Sequence, residues 1–231
     1  MSDLDLRAKP SSITCFSLSD RTLYLSSKGT VAIPPDRARL LVNICSQKKT
    51  TDDVIKSVTK RLDYVTGILK AFGIRENDVN ITRSLLFDEH YIMNAEVDAV
   101  FHNLENCQTV AIQFTQKLGK CVSVSPPEFF HSSQAFEKGK RKATLEAIKN
   151  CYDKATELTK IFGVTVAKPL EISEEHNKLL LDNIKSSDVK RETNINDSLA
   201  HKLKLLTYIS ESKVSVKFEI KGEYKQAIFL S

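Results

Sequence analysis

Ile92-Met93-Asn94-Ala95-Glu96-Val97-Asp98-Ala99-Val100-Phe101-His102 alternates in side-chain character with a period of two. Successive side chains of an extended chain point to opposite faces. Met93, Ala95, Val97, Ala99 and Phe101 therefore share one face, and Asn94, Glu96 and Asp98 share the other. A strand of this kind is packed on one side and wet on the other, as in antiparallel sheets. The pattern recurs from Arg37 to Cys45, where Ala38, Leu40, Val42 and Ile44 oppose Arg37, Arg39 and Asn43. It returns near the end, where Val214, Val216, Phe218 and Ile220 oppose Lys213, Ser215, Lys217, Glu219 and Lys221. Val79, Ile81, Leu85 and Phe87 make a further apolar face, broken by Arg83. The expectation is an antiparallel sheet with one face free.

Three segments have helical spacing instead. The first runs from about Thr51 to Phe72, with Val54, Val58, Leu62, Val65, Leu69 and Phe72 at three- and four-residue steps, and Thr51-Asp52-Asp53 suits its start. The second, about Leu104 to Leu118, uses Cys107, Val110, Ala111, Phe114 and Leu118. The third, about Gln134 to Phe162, uses Leu145, Ile148, Cys151, Tyr152, Ala155, Leu158 and Phe162. Gly73, Gly119 and Gly163 are placed to end them in the left-handed conformation. The fold class is α+β, a mostly antiparallel sheet with one face covered by long helices. The first and third helices are expected on a common inner face made by Val42, Ile44, Val97, Ala99, Val216 and Phe218. Leu69-Lys70-Ala71-Phe72-Gly73-Ile74 and Thr159-Lys160-Ile161-Phe162-Gly163-Val164 echo each other and hint at an internal duplication. Periodicity disappears after Glu174, so residues 175–204 read as a mobile insertion in a domain spanning 20–222. Residues 1–19 read as a flexible N-terminal segment and 223–231 as a tail.

Composition narrows the function classes. With 41% hydrophobic and 27% charged residues the chain is ordinary for a globular protein, and no apolar run approaches the roughly 20 residues of a membrane span. Met1 to Ser12 lacks the basic-then-apolar order of a secretory signal. The 5 cysteines are odd in number and scattered, which fits a reducing compartment. A net charge of +5 comes from 34 basic residues interleaved with 29 acidic ones. The one dense basic run is Lys138-Gly139-Lys140-Arg141-Lys142, a solvated helical face, a nuclear-import signal or a steering patch for an acidic partner. RNA-binding modules interleave aromatics with basic residues on strands, and that pattern is missing here, so no direct nucleic-acid partner is expected.

No active site assembles in the sequence. The 7 glycines are dispersed, which excludes a phosphate-cradling loop and implies no nucleotide cofactor. His102 and Glu105 are the nearest approach to metal-ligand spacing, and a polar junction with Asn103 or His102 capping the second helix explains them better. Cys45, Cys107 and Cys151 fall on or beside apolar faces, where inert packing is expected. Glu89-His90 reads as an exposed turn. No catalytic, cofactor or metal-ligating residue is assigned.

What remains is Ser125-Pro126-Pro127-Glu128-Phe129-Phe130-His131, a rigid aromatic hinge between a short strand and the long third helix. Adjacent prolines fix two backbone angles and remove two amide donors. The phenylalanines either cover the edge of the core or form a patch for a partner. Lys60-Arg61-Leu62-Asp63-Tyr64-Val65-Thr66, this hinge, Lys168-Pro169-Leu170-Glu171-Ile172-Ser173-Glu174-Glu175 and Lys213 to Gly222 stand in an order that resembles the animal branch of the SIMPL-domain family, whose members bind interleukin-1-receptor-associated kinases. The similarity covers roughly Arg21 to Gly222.

That resemblance implies a non-enzymatic signalling adaptor acting toward NF-kappaB, with a kinase of the interleukin-1 receptor pathway as partner and a cytoplasmic and nuclear location. Bacterial relatives that form large homo-oligomers imply an alternative, a homo-oligomeric scaffold. The family motif supplies no catalytic residues. The vertebrate branch ends in a basic tail, whereas this chain ends Gly222-Glu223-Tyr224-Lys225-Gln226-Ala227-Ile228-Phe229-Leu230-Ser231, which sets nuclear entry apart from the rest of the resemblance. The candidate partner-binding residues are Pro126, Pro127, Phe129 and Phe130, with Lys138, Lys140, Arg141 and Lys142 steering an acidic partner.

Overall fold

The computed structural model describes residues 14–17, 21–181 and 198–222. The order of elements is β1 (Thr14–Ser17), β2 (Thr22–Ile33), β3 (Arg37–Lys48), α1 (Thr51–Ala71), β4 (Val79–Asp88), β5 (His90–Phe101), α2 (Leu104–Lys117), β6 (Val122–Val124), β7 (Glu128–Phe130), α3 (Ser133–Ile161), β8 (Thr165–Leu181), α4 (Leu199–Leu205) and β9 (Tyr208–Lys221). This is the expected α+β class, but the strands form two antiparallel sheets rather than one. The chain divides into two compact units: among the described residues, one holds 34–135 and 198–206, and the other holds 14–17, 21–33, 136–181 and 207–222.

In the 34–135 unit the strand order is β4-β5-β3-β6, with β7 also paired to β3. The register sets Leu40 opposite Ala99, Val42 opposite Val97 and Ile44 opposite Ala95, so the alternating apolar positions of both strands share a face. Helices α1 and α2 supply Val54, Val58, Leu62, Val65, Leu69, Cys107, Val110, Ala111 and Phe114 to the same core. Thr50 caps α1: its hydroxyl accepts from the Asp53 amide at 3.3 Å and donates to the Asp53 carboxylate at 2.6 Å. The free face of the sheet carries Asn43, Thr82, Ser84, Asn94 and Glu96. There Arg39 grips Asp98 through two parallel bonds of 2.8 and 2.5 Å. β4 corrects the sequence reading, because Ile81, Leu85 and Phe87 are exposed on it together with Leu86. As the edge strand it extends the sheet beyond the positions that α1 and α2 bury.

The second unit has the order β1-β2-β9-β8. Its core joins Leu23, Leu25, Val214, Val216, Phe218 and Ile220 to Ala147, Cys151 and Ala155 of α3. Val216 and Phe218 thus belong to a different sheet from Val42, Ile44, Val97 and Ala99, so α1 and α3 do not share an inner face as expected. Alternation tells which side of a strand is buried and does not tell which strands pair.

The packed side of α3 matches the expected one in part: Cys151 and Ala155 are buried and Ile148, Leu158 and Phe162 pack against the core. Gly139, Ala143, Ala147, Cys151, Ala155 and Thr159 are buried at four-residue steps, whereas Leu145 and Tyr152 are exposed. Small residues let helix and strand backbones touch. A Cβ on Gly29 of β2 would lie 2.2 Å from the Ala143 carbonyl oxygen.

The two echoing helix ends adopt one cap. Gly73 and Gly163 have φ of 75° and 69°, and the amides of Ile74 and Val164 each reach the carbonyl five residues earlier, Leu69 and Thr159, at 3.1 Å.

Part of the stretch expected as a mobile insertion is regular structure among the described residues. Residues 175–181 continue β8, and Leu199–Leu205 form α4, capped by the Ser198 hydroxyl. Pairing of β8 with β9 shifts register around Pro169 and again between Glu174 and His176, which erases the period-two signal. An edge strand tolerates such bulges and a proline. Glu175, the bulged residue, folds over the sheet to accept from Ser26 and Ser215 and to pair with Lys213. The expectations for 1–13, 18–19, 182–197 and 223–231 fall outside the described residues.

Candidate partner-binding residues

The hinge is a crossing between two short strands. β6 pairs with β3 at Val42 to Ile44 and β7 pairs with the same strand at Arg37 to Arg39, so Pro126 and Pro127 carry the chain from one site on β3 to the next. Ser125 anchors the entry: its amide donates to the Leu41 carbonyl at 2.9 Å and its hydroxyl accepts from the Leu41 amide at 3.1 Å. The exit is held by Asp36. Its carboxylate accepts from the Ser132 amide and hydroxyl, both at 2.7 Å, and from Arg37 at 2.8 Å, while its own amide donates to the Phe130 carbonyl at 3.2 Å. Ser132 in turn accepts from the Ala135 amide and caps the start of α3.

The two phenylalanines part company. Phe129 is half-buried against the core of its unit and Phe130 is 38% exposed. Strand alternation forces this division, since neighbours on a strand face opposite ways. Pro126 is exposed and Pro127 half-buried. The basic run sits in the other unit, near the start of α3. Lys138, Arg141 and Lys142 are exposed there, Lys140 pairs with Glu137 at 3.3 Å, and Gly139 turns inward against Ile33.

Partial burial pushes the Asp36 carboxyl up, but the Ser132 amide, the Ser132 hydroxyl and Arg37 together hold it below the usual carboxylate range. A carboxyl with a depressed folded-state pKa contributes stability above its unfolded pKa of about 3.9 and loses it as pH falls through the lower folded value. Asp36→Asn is expected to cost about 1–2 kcal/mol at pH 7, by weakening charge-assisted bonds. The difference from the parent chain should shrink below about pH 4, as both carboxyl states neutralise. Thermal melts of the two proteins from pH 7 down to pH 3 check this.

The remaining polar candidates have structural roles. Asn103 caps α2 by accepting from the amides of Glu105 and Asn106, at 3.0 and 3.1 Å, and His102 lies 3.3 Å from Asp78. Cys107 and Cys151 are buried; desolvation pushes the Cys107 thiol up to about 12 and also raises that of Cys151. Cys45 is exposed on the free face of its sheet, contrary to expectation, because it falls one position out of phase with Ile44. Sequence reasoning did not find the Asp36–Ser132 clamp, whose two ends lie 96 residues apart. The only local signal was a Ser before a helix.

These features define an α+β protein of helix-backed antiparallel sheets with a proline-stiffened aromatic hinge and a basic helical face. The profile of the SIMPL family, described as "Protein of unknown function (DUF541)", matches residues 23–218, and the chain belongs to that family. It is 33% identical over 220 residues to the interleukin-1 receptor-associated kinase 1-binding protein 1 of Homo sapiens, covering 94% of this chain and 84% of the relative. The Mus musculus protein of the same name is 34% identical over 209 residues, covering 89% and 80%. A Xenopus laevis homolog is 30% identical over 204 residues, covering 88% and 81%. Among the described residues no helix is long and apolar enough to cross a membrane.

Proposed function

We propose that this protein is a non-enzymatic signalling adaptor that binds a kinase of the interleukin-1 receptor pathway and acts toward NF-kappaB, in the cytoplasm. The observation that carries the reading is the hinge: an exposed Phe130 on a strand tied down at Ser125 and Asp36, beside two prolines. Presenting an aromatic from a rigid backbone lowers the ordering cost of association. Kinase-binding names among relatives that cover most of this chain support the choice of partner. Pro126, Pro127 and Phe130 form the contact element; Phe129, expected as part of it, instead packs inward and anchors the strand to the core. Lys138, Lys140, Arg141 and Lys142 form a separate steering element for an acidic surface.

The test is capture of the kinase by purified variants. Phe130→Ala is expected to weaken capture about tenfold, as loss of an aromatic anchor does. Lys140→Glu with Arg141→Glu is expected to slow association most at low salt. Both variants should keep the parent circular-dichroism melt. Undiminished capture by both removes these residues from the interface.

A homo-oligomeric scaffold is the second reading, favoured by the exposed apolar positions on edge strands β4 and β8: Ile81, Leu85, Leu86 and Phe87 on one, Ile172 and Leu179 on the other. The mass in solution separates the two readings, a monomer supporting the adaptor.

A further inference from the structure

Ser57, Lys60, Arg61 and Tyr64 follow one another at steps of three, one and three residues along α1, which places them on a single stripe beside the buried face. With Lys117 and Leu118 at the end of α2 they line an open cleft of about 420 Å³, wholly within the 34–135 unit. Three cations therefore meet in one concavity. Among the described residues none of the three has a carboxylate within ion-pair distance, whereas Lys28, Arg37, Arg39, Lys70 and Lys213 all do.

Arg61 is also held in place. Its Nη1 donates to the Ser57 carbonyl at 2.9 Å and to the Ser57 hydroxyl at 2.5 Å, and Ser46 donates to that hydroxyl at 3.0 Å. These bonds use one edge of the guanidinium. Nε and Nη2 find no acceptor among the described residues, which leaves a fork suited to two oxygens of one anion. Tyr64, 40% exposed, adds a phenol hydroxyl at the rim.

We propose that this cleft receives a phosphorylated serine or threonine side chain of the partner protein. The identity of that partner rests on the adaptor reading above. A phosphate ester carries close to two negative charges and three acceptor oxygens, which matches three converging cations better than a single carboxylate does. A polynucleotide fits less well, because Asp52, Asp53, Asp63 and Glu105 are exposed on the same two helices and put negative charge along them, which disfavours a chain of phosphates. Kinases and their neighbours carry such phosphates as a matter of regulation.

The probe is a short glycine-serine peptide with one central phosphoserine, titrated into the full chain and followed by two-dimensional NMR and by anisotropy of a fluorescein label. Shifts confined to Ser57–Tyr64 and the end of α2 are expected, with the serine and aspartate forms of the peptide binding at least about tenfold more weakly. Lys60→Glu with Lys117→Glu, both exposed positions, should remove binding while leaving the melt unchanged. Lys138→Glu should leave binding intact. Equal binding of the aspartate peptide, indifference to the double reversal, or tighter binding of a single-stranded RNA oligonucleotide at the same residues overturns the assignment.

Capture of the kinase before and after phosphatase treatment separates this inference from the adaptor reading. Loss of capture on dephosphorylation and in the double reversal supports the cleft. Capture indifferent to both overturns it and leaves the adaptor standing. Phosphopeptide binding without any kinase capture supports the cleft and overturns the proposed partner.

Discussion

Val97→Asp is expected to leave the 34–135 unit unfolded at room temperature. Val97 is 0% exposed on β5, paired with Val42 on one side and Ile81 on the other. Its face is covered by α1 and α2, whose buried side chains complete the same core. Aspartate there loses the burial of a valine, about 1.5–3 kcal/mol. It must further either keep an unpaired charge in an apolar core or be protonated, at a cost of several kcal/mol more. The sum is comparable to the whole stability of a typical domain, about 5–15 kcal/mol. Val97→Ala, which removes two methyl groups without adding a charge, should cost about 2 kcal/mol and stay folded. Denaturant melts followed by circular dichroism read both. A soluble Val97→Asp protein with the parent midpoint would place this residue outside the core.

The elements themselves were legible because their periodicities are clean. Ala38, Leu40, Val42 and Ile44, then Met93 to Phe101, then Val214 to Ile220 are buried at every expected position. The ends of α1, α2 and α3 lie within a residue or two of the expected limits, since Thr51-Asp52-Asp53, Asn103 and Gly163 mark them locally, although the capping side chain of α1 is that of Thr50. Pairing was not legible. Nothing in the alternation of Val216 and Phe218 says that their neighbours are Leu25 and Leu23 rather than strands of the other sheet. β8 was hidden by its own bulges, and α4, of 7 residues, is too short to show a periodic face.

The candidate residues divide in the same way. That Pro126 and Pro127 stiffen the segment between β6 and β7 is a property of proline and could be read directly. That Phe130 rather than Phe129 faces solvent depends on β7 pairing with β3 at Arg37 and Ala38, a contact between residues about ninety positions apart that only the fold supplies. In the basic run Lys138, Arg141 and Lys142 are exposed and Lys140 is half-buried beside Glu137, while Gly139 breaks the run because α3 needs a small residue where it meets Ile33.

Gly29→Ala is expected to be the most damaging single-methyl change in the second unit. The added Cβ would lie 2.2 Å from the Ala143 carbonyl oxygen and 2.4 Å from the Ala147 amide nitrogen, both backbone atoms of α3. Backbone cannot swing aside as a side-chain end does. Strand β2 or helix α3 must shift instead, and neighbouring core contacts of Leu25, Ala147 and Cys151 loosen with it. The cost should reach or exceed the upper end of the usual 1–3 kcal/mol for overpacking, and Gly29→Val should exceed it further. Gly139→Ala provides the contrast. There the new methyl meets only side-chain atoms of Ile33, Cδ1 at 2.2 Å and Cγ1 at 2.6 Å, and a rotamer change of that side chain absorbs the clash without moving backbone, at about 1–2 kcal/mol. A second contrast separates backbone contact from simple crowding of side chains. Because Gly29 faces main-chain atoms, trimming Ala143 or Ala147 to glycine in the Gly29→Ala background should restore nothing. Chemical denaturation of the three single variants and two double variants measures the series. A Gly29→Ala protein as stable as the parent, or one rescued by Ala143→Gly, would show that the helix does not ride on the strand backbone at this crossing.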